Sequence, residues 1–463
     1  DQGSGRLGGG HRGLVAPNPY YRAIRRQQEH PNHMLTAFRN AFRIHDLRNK
    51  ILFTLFIFVL YRFGTTVPVP GVDLDAIKEF TDAATTSGFV GLLNLFSGGA
   101  LTRLSVFALG IMPYITASII LQLLAVVIPK LQALQEEGES GRKVITQWTR
   151  YLTVILALLQ STGFSFLFHS GQLTGGIDLI PDYTPRNVII IVITMTAGTA
   201  LLMWFGELIT QRGIGNGMSL LIFISIISQI PSQLAILNAN SATYQFVVIV
   251  AAMVLLTVGI IYIEQGQRRI PVQFSKRVRG RKVMGGQSTY IPLKVNMAGV
   301  IPVIFATSIM YFPALIASVL PPEGWGATVR NWIDTNLLSS SGGGFSPSLW
   351  YIFVLALLVV FFTYFYTAIQ FDPERQADMI QRQGGFIPGI RPGRATVNYL
   401  QYVLSRITLP GALYLAVVTV LPSILGYIWN VPVGLSGVSI IIVAGVALET
   451  TKQIESQLMM RNY

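Results

Sequence analysis

The sequence predicts an all-α polytopic membrane protein of about ten transmembrane helices, and three observations carry that reading. Charged residues make up 12% of the 463-residue chain and hydrophobic residues 51%, whereas soluble domains run near 25% charged. Apolar runs of about 20 residues, the length that crosses a bilayer's hydrocarbon core, recur along the chain. The cations gather in a few connections instead of spreading evenly, as sidedness in a membrane requires.

Residues 1–33 stand apart from the rest of the chain. "DQGSGRLGGGHRG" is Gly-rich, "YYRAIRRQQEHPNH" is basic, and neither holds a sustained apolar stripe. They read as a disordered N-terminal extension or a cloning remnant, and not as a signal peptide, which needs an apolar central region. Over 34–49, Phe38 and Phe42, and Arg39 and Arg43, each fall four apart on separate faces, which predicts a basic amphipathic helix on the cytoplasmic membrane surface. Apolar spans come next, near 50–69, 106–128, 151–168, 187–209, 218–237, 244–263, 297–319, 348–369, 401–421 and 436–450. All are read as helices, because lipid tolerates only backbone whose hydrogen bonds close internally.

Lysine and arginine set the orientation. Segment 264–294 holds Arg268, Arg269, Lys276, Arg277, Arg279, Arg281, Lys282 and Lys294 against the single acid Glu264. Segment 370–406 holds Arg375, Arg382, Arg391, Arg394 and Arg406, whereas 320–346 has only Arg330 and 169–186 only Arg186. The positive-inside rule therefore places both termini and the two long basic loops, about 264–294 and 370–400, in the cytoplasm. A break near 238–243 leaves five spans on either side, an N-terminal half over 50–240 and a C-terminal half over 241–463. An odd number per half makes the second enter the membrane from the opposite face, the topology of an inverted repeat.

The residue inventory excludes several chemistries. With no cysteine, disulfides, thiolate metal sites and cysteine nucleophiles drop out. Histidines 11, 30, 33, 45 and 169 form no metal-binding pair in a span, and no phosphate-binding glycine loop supplies ATP chemistry. "GESG" at 138–141 matches a serine-protease fragment, but it lies in a charged loop with no intramembrane histidine. No catalytic residue, metal or cofactor is expected. A secondary transporter with inverted repeats stays open as an alternative. It is weakened because Glu207, Glu264 and Glu449 all sit at cytoplasmic span ends, not at the midplane where coupled carriers bury acids. The loop cations read mainly as topology determinants. Arg391, held between Pro388 and Pro392 in "GIRPG", reads instead as a displayed docking cation.

Six stretches, in this order, resemble the SecY family of bacterial protein-conducting channels. They are "LFSGGALTRLSVFALGIMPYITASIILQLL", "GELITQRGIGNGMSLLIF", "GQRRIPVQFSKR", "QSTYIPLKVNMAGVIPVIFATSIM", "GGFIPGIRPGRAT" and "LSGVSIIIVAGVALET". The resemblance spans Met34 to Tyr463. It implies a plasma-membrane channel that conducts unfolded secretory chains and releases hydrophobic segments sideways into lipid. The implied partners are the small subunits SecE and SecG, the SecA motor, the ribosome, and signal sequences of nascent chains.

The resemblance also implies site residues. The segment about 94–104, with Phe96, Ser97, Gly98, Gly99, Ala100, Leu101, Thr102 and Arg103, corresponds to a re-entrant plug helix that closes the pore. Gly98 and Gly99 would permit a bend, and Arg103 would face water or protein. Ile111, Ile115, Ile222, Ile304 and Ile442 correspond to the apolar pore ring. Thr116, Gln160, Asn296 and Phe312 correspond to a lateral gate between the second and seventh spans. Arg268, Arg269, Lys276, Arg277, Arg391 and Arg394 fall where the motor or ribosome docks.

Overall fold

A computed structural model of the chain describes residues 44–78, 94, 96–169, 178–274, 277–279, 282–284, 288–319, 324–333, 336, 348–429 and 437–460. The extension 1–33 lies outside them. Of the predicted surface helix 34–49, the described part is the first turn of α1, His45–Gly64.

Every predicted span coincides with a helix. After α1 come α2 (Met112–Val127), α3 (Pro129–Glu136), α4 (Glu139–His169), α5 (Pro185–Arg212), α6 (Gly217–Asn240) and α7 (Thr243–Gln265). The later helices are α8 (Ile301–Val319), α9 (Trp325–Ile333), α10 (Leu349–Gln370), α11 (Pro373–Arg382), α12 (Arg394–Trp429) and α13 (Gly437–Met459). Seven stretches are long and apolar enough to cross a membrane on those grounds alone: α4, α5, α6, α7, α10 with α11, α12 and α13. The pair α2–α3 qualifies jointly, bent by 108° at the Ile128–Pro129 junction, where proline restrains the preceding residue from helical geometry. The spans α1 and α8 complete the set. α1 carries Asp46, Arg48, Lys50 and Arg62, and α8 contains a shorter apolar stretch, Ile301–Met310.

Element ends depart from the apolar runs for identifiable reasons. The second apolar run starts at 106, yet α2 begins at Met112 with a proline in its first turn, because 106–111 form turns packed in the core. α4 extends twelve residues before its apolar stretch, and α13 runs on to Met459; these polar turns are amphipathic and continue beyond the lipid-facing length. A bidentate ion pair joins α4 to α5, with Arg150 Nε and Nη2 each 2.7 Å from the Glu207 carboxylate.

The two basic loops are more ordered than their composition suggests. Strands β1 (Gln267–Phe274) and β4 (Ser288–Lys294) pair antiparallel, with Arg268 opposite Leu293. Between them, β2 (Arg277–Arg279) and β3 (Lys282–Met284) form the hairpin tip. Strand β5 (Gly385–Phe386), from the second loop, adds to β1, giving the order β4-β1-β5. Ile270 and Val272 are buried on one strand face while their neighbours point outward, the period-two signature of a half-buried strand. They join Leu293, Ile380, Ile387 and Leu400 in a separate small core. The surface cations mask this pattern in the sequence.

Helix contacts leave one side of the bundle weakly joined. α2 packs on α4, and α8 on α10; the extensive contacts between the first five and last five spans run from α6 to α13 and, less closely, to α7. Among the described residues, α2 and α8 make no comparable contact.

Candidate functional site

The five predicted ring isoleucines come from α2, α6, α8 and α13 and belong to one hydrophobic cluster. Ile111, Ile222, Ile304 and Ile442 are buried members, and Ile115 packs against them. The Ile115 N–H donates to the Ile111 carbonyl at 3.2 Å, so the two share one helix face although Ile111 only caps α2. Isoleucine side chains offer water no hydrogen bond, so a narrow passage lined by these five would dewet and block ions.

The predicted plug segment contributes to this cluster. Phe96 and Ala100 are buried members of the same cluster as Ile111 and Ile222. The segment is less helical than the resemblance implies: Phe96 and Ser97 are helical, and 98–104 run as successive turns. Gly98 (φ +67°) and Gly99 (φ +88°) account for the departure, since left-handed backbone breaks a helix and strongly favours glycine. Contact adds a second requirement. A Cβ on Gly98 would sit 2.7 Å from the Tyr61 hydroxyl and 3.3 Å from the Ser225 backbone, and one on Gly99 would collide with Gln229.

Two α1 side chains hold the turns down. Tyr61 is buried, and its hydroxyl donates to the Ser97 carbonyl at 3.1 Å and lies 2.6 Å from Ser225 Oγ on α6. Arg62 Nη1 donates to the Gly98 carbonyl at 2.9 Å and to Ser228 Oγ at 3.3 Å. Within the plug, Thr102 N–H and Oγ1 both bond Asn94 Oδ1. The return leg is stitched to the segment after α1 by Val69 N–H to Leu104 O and Val106 N–H to Val67 O, both 2.9 Å. Leu101 and Thr102 are buried and Arg103 is exposed. The Tyr61–Arg62 latch was missed by sequence reasoning. Its one signal was a charge, Arg62, inside an apolar span.

The residues predicted for the gate are placed differently from one another. Thr116 Oγ1 bonds its own helix at Met112 O, 3.0 Å. Gln160 is half-buried on α4, and Phe312 falls in α8 with its side chain outside the described residues. Asn296 is buried and turned the other way: Nδ2 donates to Glu264 Oε1 at 2.6 Å and to Gly299 O at 3.0 Å. Its described bonds reach α7 and its own turn, not Thr116 or Gln160. Residue spacing alone gave no hint that Glu264 would claim it.

Among the residues predicted for docking, Arg268 and Arg269 are exposed on β1, with the Arg269 guanidinium 4.9 Å above the Tyr290 ring. Arg277 lies in β2, its side chain undescribed, and Lys276 lies outside the described residues. Arg391 and Arg394 are exposed. The Arg391 carbonyl accepts from Thr396 Oγ1 at 3.0 Å, tying the Arg391 turn to the first turn of α12. β5 links this region to the β1–β4 hairpin, so both basic loops form one surface.

The family model described as SecY matches residues 105–451. This chain belongs to the SecY family. The protein translocase subunit SecY of Streptomyces scabiei is 52% identical over 444 residues, covering 93% of this chain and 99% of the relative. That of Mycobacterium bovis is 50% identical over 446 residues with the same coverage. Two solved structures, each 18% identical and aligned over 89% of this chain and 92% of their own, share its fold. One is a protein-conducting channel (TM-score 0.58); the other (TM-score 0.59) is described by its plug domain stabilising the closed state of the SecY channel and maintaining a membrane seal. This SecY-family chain is a multi-pass membrane protein of the channel fold, and the small-solute carrier reading finds no support.

Proposed function

We propose that this SecY-family translocase subunit conducts unfolded secretory polypeptides through its central isoleucine cluster and releases hydrophobic segments laterally between α2 and α8. The observation that carries the reading is the plug: a polar-backboned segment, latched by Tyr61 and Arg62, packed on an aliphatic constriction. A carrier of small solutes needs a binding site with polar ligands near the midplane. A polypeptide channel needs a seal that polar backbone can leave without breaking covalent or metal bonds, and hydrogen bonds of about 1 kcal/mol net each meet that need.

The sparse α2–α8 side supports the lateral exit, since the halves are joined through α6 and α13 and can part opposite that joint. The chain itself catalyses no reaction in this reading. SecA or a translating ribosome supplies the push from the cytoplasm of a bacterial cell, where both termini lie, and SecE and SecG complete the channel in the plasma membrane.

A thiol pair tests the gate. Because the chain lacks cysteine, Thr116→Cys with Phe312→Cys is expected to oxidise in membranes, stop signal-sequence insertion and export, and recover both on reduction. A disulfide needs Cα atoms about 4.4–6.8 Å apart. Thr116→Cys with Asn296→Cys is the less clean pair, because it also removes the Glu264 bond. Efficient crosslinking with unchanged export would overturn the gate.

Docking has its own test. Arg391→Glu is expected to abolish motor-driven export of a secreted reporter while channel levels in the membrane stay normal. Reversing a charge on a docking surface weakens encounter and holds like charges together. Export at the wild-type rate would remove Arg391 from the docking surface.

A further inference from the structure

Helix α9 connects the outer end of α8 to α10, at the ends of these spans opposite the basic hairpin. Three of its residues, Trp325, Val329 and Trp332, are 70%, 39% and 59% exposed. At 100° per residue they fall within about 60° of arc on one face. Gly326 and Ile333, on an adjoining face, are buried, consistent with the packing of α9 on α8. Asn331 and Thr328 are exposed on the far side of the stripe. The helix thus has a packed face, an exposed apolar stripe and a polar face.

Its height along the bundle is set by hydrogen bonds. Asn336 Nδ2 donates to the Trp332 carbonyl at 2.9 Å, and the Asn336 carbonyl accepts from Ser348 Oγ. Ser348 caps α10, where its oxygen accepts from Tyr351 N–H. The next residues, Leu349, Trp350 and Phe353, are exposed on that membrane span. The C-terminal end of the tryptophan stripe is therefore tied to the start of α10, whose first turn also exposes large apolar side chains.

We propose that α9 lies in the outer membrane–water interface, its Trp325–Val329–Trp332 stripe seated among lipid headgroups and upper acyl chains. Short amphipathic helices with tryptophan on the apolar face take this position, and the ring's polar N–H edge suits the headgroup level. Through its packing on α8, the seated helix holds the outer end of α8 at a fixed depth.

The absence of native cysteine makes the test clean. Trp325→Cys, Val329→Cys, Trp332→Cys and Asn331→Cys are made singly in the intact chain. Each is spin-labelled and reconstituted in vesicles of phosphatidylethanolamine and phosphatidylglycerol. Collision with oxygen, which concentrates in lipid, is compared with collision with a water-soluble nickel chelate. The stripe positions should show oxygen-to-nickel ratios several-fold above that of Asn331. Nickel access equal to that at Asn331 would place the stripe in water. Exclusion of both reagents would show that protein covers it, a second copy or another subunit. Either result overturns the lipid seat.

Discussion

Gly98→Val is expected to raise the resting ion conductance of the reconstituted channel, by roughly 30- to 4000-fold in plug-displaced population. The left-handed backbone at Gly98 costs a side-chain-bearing residue about 1–2 kcal/mol. The added carbons meet the Tyr61 hydroxyl and the Ser225 backbone, and such overpacking costs about 1–3 kcal/mol. A total near 2–5 kcal/mol acts only on the seated plug, and every 1.4 kcal/mol is tenfold in equilibrium. Tyr61→Phe should act in the same direction with a smaller effect, about tenfold, by removing the hydroxyl that bonds Ser97. Gly138→Val is the control. It has the same backbone sign, φ +78°, but nothing within 4 Å, so it shares the strain and should leave conductance unchanged. Planar-bilayer recordings in which Gly98→Val matches Gly138→Val would show that the plug does not seal through this contact.

The second large effect concerns the ring. Ile442, 1% exposed, replaced by Asn exchanges aliphatic burial worth about 1.5–3 kcal/mol for an amide whose poor satisfaction costs about 1–3 kcal/mol. The closed constriction is expected to hydrate, leak ions and accept weakly hydrophobic signal sequences. Ile304→Asn should behave alike, because both residues lie in the cluster that also holds Phe96 and Ala100 of the predicted plug. Ile442→Val, which keeps the aliphatic surface, should leave conductance near wild type. If Ile442→Asn passes no more current than Ile442→Val, this cluster does not line the permeation path.

The helices were legible because their signal is local. A run of apolar side chains states where lipid must lie, and every predicted span became a helix. The resemblance chose five isoleucines out of many equivalent ones, and the structure places them in one cluster. Other features were hidden by their surroundings. The β1–β4 hairpin has only Ile270 and Val272 as its buried alternation on β1, too short a pattern among arginines to stand out. Asn296 was assigned to the gate, yet its partner is Glu264, 32 residues earlier. Nothing in either residue's neighbours specifies that approach.

What the sequence determined by itself was the solvent of each segment. Burial periodicity, chain length per span and cation asymmetry are one-dimensional quantities; they fix the helices and the absence of thiol chemistry, and they predict sidedness. Only the tertiary structure decided which polar groups meet inside the bundle. Tyr61 reaches Ser225 across 164 residues, and Gly98 is required to be glycine by those neighbours and by a backbone turn that they enclose. A hydrogen bond is satisfied by geometry at about 3 Å, and that geometry exists only after the helices have packed.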